Sequence, residues 1–148
     1  MKSPVLFRSG DPSLDLILPA SIRQQITDVM EAAEQTPVIC HEGIRELWFI
    51  GDKGRTELRL LFLGTMRITI SRVEFKYQRQ GTMTRILELL KDFCLENGVQ
   101  KIVMQSVATE PMLAFCRKNG FLPDSTASFH LRNEILGDYV LQIIHPTT

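Results

Sequence analysis

Residues 76–87 read KYQRQGTMTRIL, in which Lys76, Arg79 and Arg85 surround a glycine that opens a helical pattern, and the first carboxylate comes only at Glu88. The unpaired N–H groups and the macrodipole of a helix N-terminus favour negative charge in the first turn. An anion supplied from outside the helix would resolve the mismatch. Main-chain amides gathered where a strand passes through a short loop and a glycine into a helix suit phosphate. A solvated basic turn accounts for the same residues. The spaced glycines and Lys-Ser/Thr pair of a nucleotide-triphosphatase P-loop are missing.

Just upstream, Glu74 ends an extended segment, where a carboxylate can act as a general base or can simply be solvated. His41, beside Glu42 and Gly43 in an expected loop, is a weaker candidate base. Cys116 falls within a helical pattern, either as a buried apolar residue or as a proton donor. Trp48 and Phe49 lie in an apolar strand and read as core. Ser106 ends a short strand, at a position open to an acceptor.

These residues need elements to position them. Pro19 opens a helix whose apolar residues Ile22, Ile26, Val29, Met30 and Ala33 share a face and which ends before Pro37. Extended segments over 44–50, 56–63 and 66–75, parted by turns at 51–54 and Gly64, predict an antiparallel meander. In the third, Ile68 and Ile70 alternate, as do Val73 and Phe75, but Ile70 and Val73 are out of phase. One extra residue near Ser71 and Arg72, as in a β-bulge, explains the slip; so does an early end to the strand. A helix follows over 81–97, striped by Met83, Ile86, Leu87, Leu90, Phe93 and Cys94 and stopped by Gly98. Then come a buried strand over 101–107, a helix capped by Thr109, and closing strands over 129–131 and 139–144. Strand–helix–strand across 66–107 requires a right-handed crossover and a parallel pair within a mixed sheet.

A chain of 148 residues makes one domain, here an N-terminal helical part (about 1–40) and a core carrying the motifs (about 41–144). Its 17 basic and 17 acidic residues leave no global field, which disfavours nucleic acid and membrane surfaces as partners. The window 66–91 is locally basic, with six basic and two acidic residues, and would serve a nucleic-acid binder, but the neutral net charge makes that the weakest of the functions weighed. Three widely spaced cysteines point to reduced thiols and a cytoplasmic protein rather than to disulfides or zinc. The N-terminus lacks a signal-peptide core, and no apolar run approaches membrane-spanning length.

The run VEFKYQRQGTMTRIL resembles the acyl-CoA-binding segment of the GCN5-related N-acetyltransferases (GNAT), with Gln78, Gly81 and Met83 at the three positions of the signature Q/R-x-x-G-x-G/A. TEPMLAFCRKNGF, residues 109–121, is similar to the family's second hallmark, and the interval between the runs also fits. The resemblance spans roughly 40–144 and implies an α/β fold: a mixed, mostly antiparallel sheet with flanking helices, splayed at the bulged strand with acetyl-CoA in the gap. It further implies diphosphate on the amides of Gln80, Gly81, Thr82, Met83 and Thr84, with Arg79 beside them, and a pantetheine arm along Val73, Glu74 and Phe75. Thr109 stands where the family's asparagine contacts the cofactor. Met83 replaces Gly or Ala, and Cys116 replaces a tyrosine that protonates the departing thiolate. The implied activity is metal-free acetyl transfer from acetyl-CoA to a primary amine, with Glu74 as base. A catalytically weak coenzyme-binding or regulatory module on the same scaffold is the alternative. The acceptor, a small molecule or a protein, has no motif, and the exposed edges of an open sheet allow a homodimer.

Overall fold

The computed structural model describes residues 12–52, 54–77 and 80–146, so the expectations for Gln78 and Arg79 lie outside the described residues. A 3-10 turn (Pro12–Asp15) leads into α1 (Ala20–Glu34). There follow β1 (Ile39–Gly43), β2 (Glu46–Ile50), β3 (Glu57–Leu63), β4 (Arg67–Glu74), α2 (Thr82–Asn97), β5 (Lys101–Val107), α3 (Glu110–Lys118), β6 (Leu122–Leu131) and β7 (Glu134–Gln142). Among the described residues these strands form one seven-stranded sheet, ordered β1-β2-β3-β4-β5-β7-β6, in which only β4 and β5 run parallel. This is the mixed, mostly antiparallel sheet with flanking helices that the sequence implies. No helix among the described residues is long and apolar enough to cross a membrane.

Local chemistry explains each helix. Pro19 stands at the α1 N-cap with φ −68°, and Ile26 and Met30 bury the helix's apolar stripe. In α2, Ile86, Leu87 and Leu90 are fully buried and α2 packs against α1. The Thr109 hydroxyl caps α3 by accepting the Met112 N–H at 3.4 Å, while Arg117 and Lys118 meet the negative end of the dipole.

Two expectations need correction. Residues 39–43, read as loop with His41 in it, form the edge strand β1, and Ile44 belongs to the β1–β2 turn with 92% of its surface exposed. Only Cys40 of β1 packs against the core, so no alternation marks the strand in sequence. β6 begins at Leu122, well before the expected 129, because its polar run DSTAS masks it.

The phase slip in β4 is a bulge. Leu60 pairs with Ile70 but Arg59 pairs with Arg72, leaving Ser71 as the extra residue, its hydroxyl donating to the Arg59 carbonyl at 3.4 Å. Beyond the bulge, Arg72 donates to Glu57 at 2.7 Å, and the other Glu57 oxygen accepts the Gly54 N–H at 2.8 Å. Burial pushes the Glu57 carboxyl up, but the Gly54 amide and the Arg72 guanidinium outweigh it and hold the group below its ordinary value. A second bulge sits in β5: Met104 pairs with Tyr139 and Val107 with Gly137, so Gln105 and Ser106 share one partner position. Ser106 takes a left-handed φ of 56°, and Asp138 accepts its N–H at 2.9 Å.

The β6–β7 hairpin is crimped. β6 runs from Pro123 to Ser128 while β7 advances only from Tyr139 to Gly137. At Gly137, with φ 114°, a Cβ would sit 2.4 Å from the Ala127 carbonyl oxygen. Only glycine fits there.

Cys94 and Cys116 are enclosed in the core, and burial pushes each thiol up to about 12. At about pH 8 the native protein should therefore leave Cys94 and Cys116 unmodified by a disulfide reagent, with half-buried Cys40 reacting slowly, and denaturant should release all three. Cys116 reacting in the native protein as fast as Cys40 would contradict this placement. Glu57→Gln should cost about 1–3 kcal/mol near neutral pH. Because the folded pKa of Glu57 is depressed, its contribution is present above the unfolded value and lost as pH falls through the folded one. Urea unfolding of parent and variant at neutral pH and at about pH 3 should thus show the difference shrinking in acid.

Candidate functional site

The parallel ladder joins Ile68, Thr69 and Ile70 to Ile102, Val103 and Met104 and goes no further. Above this point β4 follows β3 and β5 follows β7, each carried aside by its own bulge. A gap opens between them. Ser71, Arg72, Val73 and Glu74 form one wall, and their β5-facing edge has no strand partner among the described residues. Gln105 and Ser106, both exposed, begin the other wall. An edge of this kind can hydrogen-bond an extended ligand as an added strand.

The chain leaves the β4 wall at Glu74 and enters α2 at Thr82. Gly81 is its N-cap with φ 73°, no side chain caps the helix, and no acid lies in its first turn. The first helical N–H to return to a carbonyl is that of Arg85, to Gly81 at 3.0 Å, so the amides of Thr82, Met83 and Thr84 precede the helical ladder. Thr82 is 3% exposed, and its hydroxyl has no hydrogen-bond partner among the described residues. That hydroxyl is enclosed and presents no surface to a ligand, so the cradle consists of the amides alone. The Met83 side chain is in the core, which frees its amide from crowding by the thioether. Among the described residues, a Cβ on Gly81 would meet nothing within 4 Å. The residues present thus fit a diphosphate.

Other expected residues take different places. The Lys76 ammonium is committed to Asp52 at 2.7 Å and lies over the Tyr77 ring, so it does not add free charge to the cradle. Arg85 is exposed beside it, with its guanidinium 3.4 Å from the Gln80 carbonyl. Glu74 is exposed at the end of β4, opposite Glu57 in the register, and Phe75 packs against the core. Thr109 uses its hydroxyl as the α3 cap. His41 lies on edge strand β1, across from Trp48.

Cys116 differs most from expectation. The proton-donor role assumed an unperturbed thiol, but the side chain is fully buried and its pKa is about 12. Passing its proton to a leaving thiolate of ordinary acidity would run uphill by about 5 kcal/mol. Neighbouring Tyr139 is no substitute, since its hydroxyl is buried and donates to the Ile135 carbonyl at 2.6 Å.

Glu34 was not singled out from sequence. At the last position of α1, with none of its surface exposed, its carboxylate accepts the Thr56 hydroxyl at 2.6 Å and the N–H groups of Lys76 at 2.7 Å and Tyr77 at 3.0 Å. The available signal was electrostatic: an acid with no basic neighbour in the last turn opposes the helix dipole.

No protein-family model matches the chain, and no curated protein matches its sequence. Among solved structures, it is similar to a probable GNAT-family acetyltransferase from Chromobacterium violaceum, with 16% identity, a TM-score of 0.49, and coverage of 68% of this chain and 60% of that one. Tetrahymena GCN5 follows with 11% identity, a TM-score of 0.47, and coverage of 69% and 71%. A GNAT-family acetyltransferase from Elizabethkingia anophelis, solved with acetyl-CoA bound, gives 15% identity, a TM-score of 0.43, and coverage of 66% and 74%. The chain thus spans less than two thirds of the length of the Chromobacterium protein. These are the proteins it is similar to, and at such identities and scores the likeness transfers no activity.

Proposed function

We propose that this protein is an N-acetyltransferase that binds acetyl-CoA and passes the acetyl group directly to a primary amine. One observation carries this: the parallel strands separate at paired bulges, and the chain that leaves the β4 wall enters α2 with uncapped amides and no acid in the first turn. A diphosphate suits the amides of Gln80, Gly81, Thr82, Met83 and Thr84, and a pantetheine arm suits the edge formed by Val73 and Glu74. Gln78 and Arg79 keep their signature-derived roles beside the diphosphate. The three free cysteines fit a cytoplasmic setting.

Glu74 takes the proton from the ammonium of the acceptor, directly or through one water. The amine nitrogen then attacks the thioester carbonyl carbon, and a main-chain N–H at Val73 steadies the oxygen as it gains charge. The carbon–sulfur bond breaks, water protonates the departing thiolate because Cys116 is enclosed, and the hydroxide so formed takes the second proton from the nitrogen, leaving a neutral amide. Thr109 caps α3 with its hydroxyl oxygen, which leaves the O–H as a donor toward the coenzyme.

Calorimetric titration with acetyl-CoA should give saturable binding, and Gly81→Glu, which places a carboxylate at the N-cap of α2, should weaken it by about 100-fold or more. Absence of binding to the parent would defeat the proposal. In a thiol-release assay across an amine panel, Glu74→Gln should lower kcat by about 10²–10⁴-fold while coenzyme still binds. Binding with no release for any amine would instead mark a coenzyme-binding module.

A further inference from the structure

The geometry points to Glu34 as a positioning residue that sets the angle between the end of β4 and the phosphate-binding start of α2. This rests on the proposed coenzyme site. Lys76 and Tyr77 follow β4 closely and precede the Gly81 cap, so they form the joint between the edge offered to pantetheine and the amides offered to diphosphate. Glu34 grips that joint by its main chain, at 2.7 and 3.0 Å. The grip is independent of which side chains occupy positions 76 and 77.

Cost and compensation agree. A fully buried carboxylate at a helix C-terminus is unfavourable on two counts, desolvation and the dipole. Three hydrogen bonds from groups that are themselves fixed offset it. Thr56, itself fully buried, comes from the β2–β3 turn, whose Asp52 also accepts from Lys76 at 2.7 Å and from Thr36 at 3.3 Å. The end of α1, the β2–β3 turn and the β4–α2 joint are thereby tied at one point. A carboxylate with two oxygens can hold two successive amides and a hydroxyl together; an apolar residue would leave both amides without an acceptor.

The test compares parent, Glu34→Gln and Glu34→Ala, with Thr56→Val as a variant that removes only the hydroxyl donor. Coenzyme A affinity is read by calorimetry, and exchange of the Lys76 and Tyr77 amides by NMR. Glu34→Ala should weaken coenzyme A by about tenfold or more and expose both amides to exchange, with protection in α2 and β3 retained. Glu34→Gln, which keeps one acceptor oxygen and turns an NH2 donor toward the other amide, should fall between the parent and Glu34→Ala and expose one of the two amides. A folded Glu34→Ala protein with parental affinity, or with both amides still protected, would overturn the inference. Should Glu34→Ala not fold, faster exchange at the two amides and weaker coenzyme binding in Thr56→Val support the role, and parental values for both overturn it. A parent that fails to bind coenzyme A defeats the functional proposal and the coenzyme-positioning role with it, whereas the exchange data still decide whether Glu34 clasps the joint.

Discussion

Two neighbouring strands that stop exchanging hydrogen bonds halfway along a sheet leave amides and carbonyls facing each other across a space, and the protein above Ile70 and Met104 is organised by that break. Water can satisfy such groups in the free protein, and an extended ligand can replace the water. The break is built from both sides. Ser71 adds a residue to β4 and the Gln105–Ser106 pair adds one to β5, so each strand keeps its outer partner while turning from the other. A single bulge would bend one wall; two make a cleft with a defined mouth.

Holding the walls apart requires polar side chains that are fixed rather than solvated. Glu57 fastens Arg72 to the β2–β3 turn, Asp138 holds the Ser106 amide in its left-handed conformation, and Glu34 fastens the chain as it leaves β4. Each is a carboxylate accepting main-chain or guanidinium N–H groups, where charge makes the hydrogen bond stronger than a neutral one. The apolar core beneath, with Leu60, Ile70, Met104 and Ile86, supplies the stability that lets these groups serve shape.

Much of this was legible in the residues. The slip between Ile70 and Val73 left a bulge and an early strand end as alternatives, and the pairing of Arg59 with Arg72 beside that of Leu60 with Ile70 decides for the bulge. The stripe from Met83 to Cys94 located α2, and it correctly sent Met83 inward. Elements without periodicity were harder. β1 buries almost nothing and β6 is interrupted by polar residues, so both were fixed by pairing with a neighbour rather than by their own composition. The candidate site divided in the same way: the glycine cap and acid-free first turn are local features, whereas Glu34 lies more than forty residues from the amides it holds and only the fold brings them together. For Cys116 the sequence left two roles open, and enclosure in the core favours the apolar one.

The crimp at Gly137 gives the far side of the cleft an unusual dependence on a position outside it. Beyond that residue the β6–β7 hairpin continues as an arm, and Val107 of the cleft wall pairs with Gly137 itself. Any side chain there would have to push the Ala127 carbonyl away, and the arm would swing as a lever about its base. The width of the opening is therefore tied to a glycine on the neighbouring strand as well as to the residues that line it.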